Sequence, residues 1–292
     1  MTRYDIAFIG HVCYDEVVPF QEQTRIAPGS AVLCGAMAAA RVGKNVAVVT
    51  KIAEIDDHIM NPMREAGMGT YVIPADETTY MKVVHPSADV DVRQIIEVKS
   101  AGPFALDDIP ALDAACVHLA GISDQEFTLE FMTGLKERGY NLSVDMQSFV
   151  RQMEPVTKEI FFRDVPLKEK IVRLMDKVKL DVVEAEMLTG TRDLEQAALA
   201  FERWGCPEVI ITQAEGVLAR VKGQTYYEKF TNRSVVGRTG RGDTTFGGYL
   251  AWRLDHAVAE SLKFAAALVS IKMEAPGPFQ GTLDDVLERM NH

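Results

Sequence analysis

The chain has few cysteines and no pattern that joins them. Its 292 residues include only Cys13, Cys34, Cys116 and Cys206, which are widely scattered and form no C-x-x-C pair. Zinc sites and disulfide frameworks need cysteines at recognisable spacings, so neither is expected here. The four side chains are expected to be buried thiols.

Basic runs and long apolar runs are also absent. The net charge is −11, and nonspecific nucleic-acid binding needs a concentrated positive surface, so a small-molecule partner is expected instead. Arg41 and Lys44 split the longest apolar stretch, which leaves no segment long enough to cross a bilayer. The opening MTRYDIAFIG lacks the pattern of a secretory signal, and a cytoplasmic protein without a membrane partner is therefore expected.

Short apolar runs alternate with helical stretches along the chain. The predicted strands cover residues 6–9, 46–49, 117–119, 142–144, 182–183 and 209–211, and the predicted helices cover 31–42, 127–138 and 194–204. This alternation is typical of a parallel sheet between two layers of helices. Ligands of such sheets bind beyond the carboxyl ends of the strands.

A glycine-rich turn precedes one of the helices. The segment GRTGRGDTTFGGYL, residues 237–250, predicts a loop over 239–243 and a helix over 244–254. A helix start presents unpaired N–H groups and the positive end of its dipole, so Gly240, Arg241 and Gly242 are candidates for an anion site. Asp243 beside them fits either a proton acceptor or a helix N-cap.

The stretch TGRGDTTFGG resembles the second signature of the PfkB/ribokinase family of carbohydrate kinases, from which it departs at Arg241, where alanine is usual. The resemblance continues in order along nearly the whole chain. It implies an α/β fold, a ribokinase-like three-layer α/β/α sandwich with a small β lid, in a single kinase domain over residues 1–292. It also implies transfer of the γ-phosphoryl group of ATP to a hydroxyl group of a sugar, polyol or nucleoside.

Two regions interrupt the alternation and resemble the family's β lid. Residues 15–28 are polar and non-helical, and residues 78–85 and 92–99 alternate like exposed hairpin strands. The lid segments are therefore expected near 12–28 and 74–101, folded over the sugar. Two surface hairpins without a role in closure remain the alternative. The resemblance also allows a homodimer formed through this lid.

The resemblance assigns the chemistry to the glycine-rich turn. Asp243 is expected to take the proton of the acceptor hydroxyl, while the backbone amides of Gly240, Arg241 and Gly242 stabilise the transferring phosphoryl group. The guanidinium group of Arg241 either contacts a phosphate or neutralises the transferring charge, or else it turns to solvent or pairs with a nearby carboxylate.

The segment LDVVEAEMLTG, residues 180–190, resembles the family motif N-x-x-E, which governs magnesium and the phosphate tail. Glu184 matches the glutamate, and Asp181 replaces the asparagine. Both side chains suit a Mg²⁺ ion held through water. Both also suit the positive end of a helix dipole without any metal.

The acceptor site implied by the resemblance lies early in the chain. Asp15 follows the first strand and is expected to accept hydrogen bonds from two adjacent hydroxyl groups. Gly29 and Ser30 take the place of paired glycines, and Cys34 stands where the family has asparagine. His11 either supplies the polar group lost at that position or is a structural histidine.

Further site residues follow from the resemblance. The segment ITQAEGVLA, residues 211–219, is similar to the family's adenine-nucleotide loop and makes Thr212 and Gly216 candidate nucleotide contacts, although Gly216 also fits a plain turn. Thr239 in the signature is a third candidate. Ala266 lies in a small-residue helix that resembles the wall of the adenine pocket, and helix packing explains its alanines equally well.

The segment VDMQSFVR, residues 144–151, places Asp145 at the carboxyl end of a strand. The resemblance assigns Asp145 to the substrate side and implies that Gln147 and Arg151 face the same cleft.

Together these motifs predict a carbohydrate kinase that depends on ATP and Mg²⁺ and acts on a small sugar or polyol, inositol-like acceptors included. One alternative is a nucleoside kinase of the same fold. Another is a catalytically weak relative that binds a sugar or nucleotide, which the departures at Cys34, Asp181 and the 212–216 loop support.

Overall fold

The computed structural model describes residues 2–89 and 92–291, so residues 90 and 91 of the predicted lid segment 74–101 lie outside it. In chain order the strands are β1 Arg3–Ile9, β2 Cys13–Val18, β3 Arg25–Gly29, β4 Val46–Ile52, β5 Gly69–Pro74, β6 Tyr80–Val84, β7 Gln94–Lys99, β8 Asp113–Leu119, β9 Leu142–Asp145, β10 Arg151–Met153, β11 Ile160–Phe162, β12 Lys177–Asp181, β13 Glu208–Thr212, β14 Gly216–Val221 and β15 Gln224–Lys229.

The helices are α1 Ala31–Arg41, α2 Asn61–Glu65, α3 Leu129–Glu137, α4 Gln147–Val150, α5 Lys168–Leu174, α6 Val182–Thr189, α7 Leu194–Trp204, α8 Arg241–Arg253, α9 Val258–Met273 and α10 Leu283–Met290. Short 3-10 turns cover Glu54–Met60 and Leu106–Asp108. No helix in the described part of the chain has the length and apolar character needed to span a membrane.

The central sheet contains nine strands in the order β15-β14-β13-β12-β9-β8-β1-β4-β5. From β13 to β5 the neighbouring strands are parallel, while β14 and β15 add antiparallel strands at one edge. Parallel strands end at the same edge of a sheet. The carboxyl ends of β1, β8, β9, β12 and β13 therefore lie together, where a ligand site is expected.

Alternate side chains of the strands enter two separate cores, because successive side chains of a strand point to opposite faces. Ile6 and Phe8 of β1 pack in one core with α1, α8 and α9, and Ala7 and Ile9 pack in the other with α3 and α7. The sheet thus lies between two helical layers. The predicted three-layer α/β/α sandwich is confirmed.

Most of the predicted elements are confirmed, and one is wrong. The predicted helices correspond to α1, α3 and α7, and the predicted strands lie in β1, β4, β8, β9 and β13. Residues 182–183, predicted as a strand, instead begin α6. The side chain of Asp181 accepts hydrogen bonds from the N–H groups of Val183 and Glu184 and so starts a helix there.

A second sheet has the strand order β3-β2-β6-β7. Its strands come from the two segments predicted as a lid, and we call it the lid sheet. Strand β2 pairs antiparallel with β3 and parallel with β6, and β6 pairs antiparallel with β7. The predicted small sheet is therefore present, and its closure over a ligand stays a prediction.

Two glycines bring α1 and α8 into close contact. A Cβ atom on Gly247 of α8 would lie 2.8 Å from the Cα atom of Gly35 of α1. A Cβ atom on Gly35 would lie 2.8 Å from the ring of Phe8 and 3.4 Å from the carbonyl oxygen of Asp243. Only residues without side chains allow the helices to approach this closely, and their N-terminal ends lie side by side as a result.

We expect Gly247→Val to force α1 and α8 apart, because the added side chain would overlap the backbone of Gly35. Overpacking of this kind lowers the free energy of unfolding by about 1–3 kcal/mol, which urea denaturation measures. Gly248→Ala is the control in the same helix, since its Cβ atom would meet only the flexible side chain of Leu268. Equal losses in both variants would contradict this account of the helix contact.

Candidate active site

Helix α8 begins at a glycine in a left-handed conformation. Gly240 is the N-cap with φ 75°, and the helix starts at Arg241, earlier than predicted. The N–H group of Arg241 donates to the carbonyl oxygen of Arg238 at 3.1 Å. The N–H groups available to an anion are therefore those of Gly242 and Asp243, because helix geometry leaves the first-turn N–H groups unpaired. The predicted anion site thus loses the N–H group of Arg241 and gains that of Asp243, while the role of Gly240 stays a prediction.

Cys34 lies against the same turn. A Cβ atom on Gly240 would lie 3.2 Å from the Cβ atom of Cys34 and closer still to its sulfur, so glycine is required there. Burial raises the pKa of the Cys34 thiol to about 12, and the charge of Asp243 adds to this rise. The thiol therefore stays protonated beside the candidate base.

A buried ion pair lies directly beneath the first turn of α8. The Nζ atom of Lys179 is 2.7 Å from Oδ2 of Asp145, and both side chains are almost fully buried. The same Nζ atom lies 2.7 Å from the position that a Cβ atom of Gly242 would occupy. Burial alone would lower the pKa of Lys179, but the carboxylates of Asp145, Glu184 and Asp243 raise it, so the ammonium group stays charged.

This ion pair changes one prediction and adds a residue that sequence reasoning missed. Asp145, predicted to bind the acceptor, accepts from Lys179 through Oδ2 and from the N–H group of Gln147 through Oδ1 at 3.1 Å. Its carboxylate holds Lys179 instead. The signal for Lys179 was a lysine within the buried part of a strand, KVKLD, since lysine is almost never fully buried unless paired.

Lys272 of α9 anchors the chain that enters α8. Its side chain is buried, and its Nζ atom donates to the carbonyl oxygens of Gly237 and Thr239. Burial lowers the pKa of Lys272. Thr239, predicted to contact the donor, therefore directs its carbonyl oxygen toward Lys272.

Asp15 and Gly29 meet on the lid sheet. They lie on the paired strands β2 and β3, and a Cβ atom on Gly29 would overlap the carboxylate of Asp15. Burial raises the pKa of Asp15, while the Cys13 thiol and the Arg151 guanidinium oppose the rise and Asp243 adds to it. The lid carboxylate thus lies within electrostatic range of the candidate base.

Arg151 acts on carboxylates of both the acceptor side and the phosphate side of the cleft. Its charge lowers the pKa of Asp15 and of Glu184, although burial raises the pKa of both. Its Nε atom is buried and has no hydrogen-bond partner among the described residues. Because an unpaired buried donor is costly, this atom points to a ligand that accepts from it.

Ser30 keeps a backbone conformation that suits glycine. Its φ is 144°, and it caps α1 by accepting a hydrogen bond from the N–H group of Leu33 at 3.0 Å. Serine here replaces the second glycine of the resemblance. Ser30 therefore adopts a strained backbone conformation between β3 of the lid sheet and the start of α1.

His11 ties the lid sheet to the central sheet, which is the structural one of the two roles predicted for it. Its Nδ1 atom is 2.8 Å from the hydroxyl group of Thr79, and its Nε2 atom is 3.0 Å from the carbonyl oxygen of Gly102. The ring is fully buried, and burial lowers its pKa to about 4. Both ring nitrogens are occupied within the protein, which leaves none for an acceptor hydroxyl.

Asp181 and Glu184 cap the start of α6 reciprocally. Oδ1 of Asp181 accepts from the N–H group of Glu184 at 2.9 Å, and Oε2 of Glu184 accepts from the N–H group of Asp181 at 2.8 Å. Burial and the charge of Asp181 raise the pKa of Glu184 to about 8. Within residues 2–89 and 92–291, no group of three or more potential ligand side chains is placed to hold a metal ion. The pair still fits a Mg²⁺ ion bound mainly by phosphates and water, which needs only one or two protein carboxylates.

The remaining predicted nucleotide contacts lie in different surroundings. Oγ1 of Thr212, at the end of β13, is 3.9 Å from the Cβ position of Gly242 and borders the anion site. Gly216 serves the turn into β14, since a Cβ atom there would lie 2.6 Å from the hydroxyl group of Tyr227. Ala266 packs in the hydrophobic core with 3% exposure. The structure brings only Thr212 of these three to the site.

The resemblance to the PfkB family that the motifs indicate extends over nearly the whole chain. Residues 3–283 match the model of the family described as pfkB family carbohydrate kinase. The chain belongs to the PfkB family. This membership makes it a kinase of the carbohydrate and nucleoside kinase group, built on the ribokinase-like fold.

Three relatives of this PfkB protein are similar over most of their length. The cytidine kinase of Thermococcus kodakarensis is 30% identical over 258 residues, which cover 85% of this chain and 87% of that protein. The sulfate complex of a pyrophosphate-dependent kinase in the ribokinase family has a TM-score of 0.90 and 32% identity, covering 97% of this chain and 99% of that chain. A pyrophosphate-dependent kinase of the same family, complexed with a pyrophosphate analogue and myo-inositol, has a TM-score of 0.88 and 30% identity over the same shares.

We expect Lys179→Met to lower the free energy of unfolding by about 3–5 kcal/mol, because it leaves Asp145 buried without a partner. Adding Asp145→Leu should restore most of this stability, since the double variant buries no charge at this position. Urea denaturation measures both changes. Both variants should lack kinase activity, and a stable single variant would contradict the buried ion pair.

Proposed function

We propose that this PfkB protein transfers a phosphoryl group from inorganic pyrophosphate to a hydroxyl group of a small cyclic polyol, with myo-inositol as the first acceptor to test. The observation that carries the proposal is the start of α8. There the carboxylate of Asp243, two first-turn N–H groups and the ammonium group of Lys179 lie together. Phosphoryl transfer needs mainly such positioning and charge stabilisation.

Asp243 acts as the general base. Its carboxylate accepts the proton of the acceptor hydroxyl as that oxygen bonds to the terminal phosphorus and the bond to the bridging oxygen breaks. The N–H groups of Gly242 and Asp243 donate to the oxygens of the transferring group. Inorganic phosphate leaves, and the proton passes from Asp243 to it or to water.

Positive charge reaches the phosphates from two sides. Lys179 lies beneath the first turn of α8, and the Arg151 guanidinium group lies within electrostatic range of the Asp15 and Glu184 carboxylates. Asp181 and Glu184 would hold Mg²⁺ through water at the start of α6. When bound, this ion supplies charge shielding for the phosphate oxygens of the donor.

The donor side supports pyrophosphate. The N–H group of Gly237 donates to the carbonyl oxygen of Met273 at 2.9 Å, and the carbonyl group of Ala275 occupies the space where a side chain on Gly237 would lie. The chain before α8 thus contacts the end of α9, the helix that the resemblance assigns to the adenine pocket wall. An inorganic donor needs no adenine pocket, and two similar structures are of pyrophosphate-dependent kinases.

ATP, the donor predicted from the sequence, is the second candidate. Thr212 supports it, because this side chain borders the anion site where the resemblance places a nucleotide contact. Gly216 and Ala266 add no support, since one serves a turn and the other packs in the core.

An assay of donors against acceptors tests the proposal. The purified protein is incubated with Mg²⁺, with pyrophosphate or ATP, and with myo-inositol, ribose, fructose or cytidine, and the products are followed by phosphorus NMR. We expect inositol monophosphate and inorganic phosphate from pyrophosphate, and no product when a chelator removes Mg²⁺. Faster turnover with ATP would overturn the proposed donor, and turnover of cytidine alone would overturn the proposed acceptor.

We expect Asp243→Asn to reduce turnover by about two to four orders of magnitude, because the amide cannot accept the hydroxyl proton. Calorimetry should show unchanged donor binding, since the first-turn N–H groups remain. Asp255→Asn is the matched control, in which an ion pair with Lys44 is lost just beyond the opposite end of α8 from the turn. Turnover near the native rate would remove Asp243 from the mechanism.

Arg241→Ala tests the residue at which the glycine-rich turn departs from the family signature. If the guanidinium group stabilises the transferring charge, kcat and kcat/KM should fall together by about tenfold to a hundredfold, the effect of one charge-assisted hydrogen bond. Steady-state kinetics with a saturating acceptor measure both constants. Native kinetics would show that the Arg241 side chain takes no part in the reaction.

A further inference from the structure

The lid sheet carries a second carboxylate that the proposed mechanism does not use. Glu97 on β7 is only 3% exposed, and its Oε2 atom accepts a hydrogen bond from the hydroxyl group of Ser123 at 2.6 Å. Its Oε1 atom is buried and has no hydrogen-bond partner in the part of the chain that the structure describes, although the Ser100 hydroxyl group lies near enough to oppose the rise that burial causes in the pKa of Glu97. A buried carboxylate oxygen without a donor is costly, so this atom points to a ligand group that donates to it.

Strand register places Glu97 on the same face of the lid sheet as Asp15. Asp15 of β2 pairs with Met81 of β6, and Met81 pairs with Glu97 of β7. Residues directly opposite one another on neighbouring strands project to the same face of a sheet. The three side chains therefore form a row, and with strands about 4.8 Å apart its two ends are separated by roughly 10 Å.

The Cys13 thiol interacts electrostatically with the carboxylates at both ends of this row. Its sulfur donates to Oδ1 of Asp15 at 3.4 Å. Burial raises the pKa of the Cys13 thiol, and the charges of Asp15 and Glu97 add to this rise. Both carboxylates therefore act on the same buried thiol, and Met81 lies between them in the strand register.

A ligand between these groups must donate hydrogen bonds in opposite directions. An ionised carboxylate only accepts, so both Asp15 and Glu97 require donors. A ring with hydroxyl groups on opposite edges supplies them, while the apolar face of the ring lies on Met81. A ligand with hydroxyl groups on one edge alone would leave Glu97 unpaired.

We propose that Glu97 is an acceptor-binding residue that acts opposite Asp15 and selects cyclic polyols with hydroxyl groups on opposite edges of the ring. This inference rests on the proposed function and specifies the chemistry of its acceptor. When the acceptor is bound, one of its hydroxyl groups donates a hydrogen bond to the unpaired Oε1 atom of Glu97.

The test compares myo-inositol with a series of inositols that each lack one hydroxyl group. Wild-type protein, Glu97→Gln and the control Glu16→Gln are assayed with pyrophosphate and Mg²⁺. Glu16 pairs with Lys82 at 2.9 Å and neighbours Asp15 on β2, so its side chain points to the opposite face of the same strand.

We expect Glu97→Gln to raise the KM of myo-inositol by about tenfold or more, while the KM of pyrophosphate changes little. One deoxy-inositol should be a much poorer substrate than myo-inositol for the wild-type protein and for Glu16→Gln. For Glu97→Gln the two compounds should be nearly equal, because the contact that distinguishes them is already lost. A purely structural role would not remove this discrimination.

Wild-type turnover of cyclic polyols with unchanged discrimination in Glu97→Gln would overturn the role of Glu97 and leave the proposed function intact. No wild-type turnover of any cyclic polyol would overturn the proposed function and this inference with it. If Glu97→Gln fails to fold, Glu97→Asp keeps the charge and withdraws it by one methylene group. The same loss of discrimination is then expected, and its absence would overturn the proposal.

Discussion

The backbone contact between α1 and α8 at Gly35 and Gly247 determines where the chemistry lies. It sets two helix starts side by side, so Cys34 touches Gly240 and the positive ends of two helix dipoles point to one place. The carboxyl ends of the parallel strands then contribute their side chains to the same place. Without this approach the anion site and the acceptor side would not be continuous.

Buried lysines bring positive charge to this place, although the net charge of the molecule is negative. The protein has a net charge of −11, and a phosphate donor approaching its surface meets repulsion. Lys179 and Lys272 are buried beneath and behind the start of α8, where few water molecules screen them. Carboxylates of the protein hold Lys179 charged, so a donor that reaches the cleft meets an ammonium group that is already in place.

Local sequence patterns predicted the features that depend on neighbouring residues. They did not predict contacts between segments that are far apart in sequence. The turn at Gly240 and the strands of the sheet follow from short motifs. The pairing of Asp145 with Lys179 follows from the position of β9 beside β12, which periodicity does not reveal. Glu97 joined the site through the register of the lid strands, and such register is set by contacts between segments far apart in sequence.

The imidazole ring of His11 attaches the lid sheet to the central sheet. Its two nitrogens meet Thr79, which precedes β6, and Gly102, which follows β7, and its backbone N–H group donates to Glu126 beyond the end of β8. The contacts of His11 thus bind both ends of the β6–β7 hairpin to the central sheet. Loss of the imidazole would therefore loosen both ends of this hairpin together, whereas Glu97 would stay bound to the Ser123 hydroxyl group and to the carbonyl oxygen of Lys158.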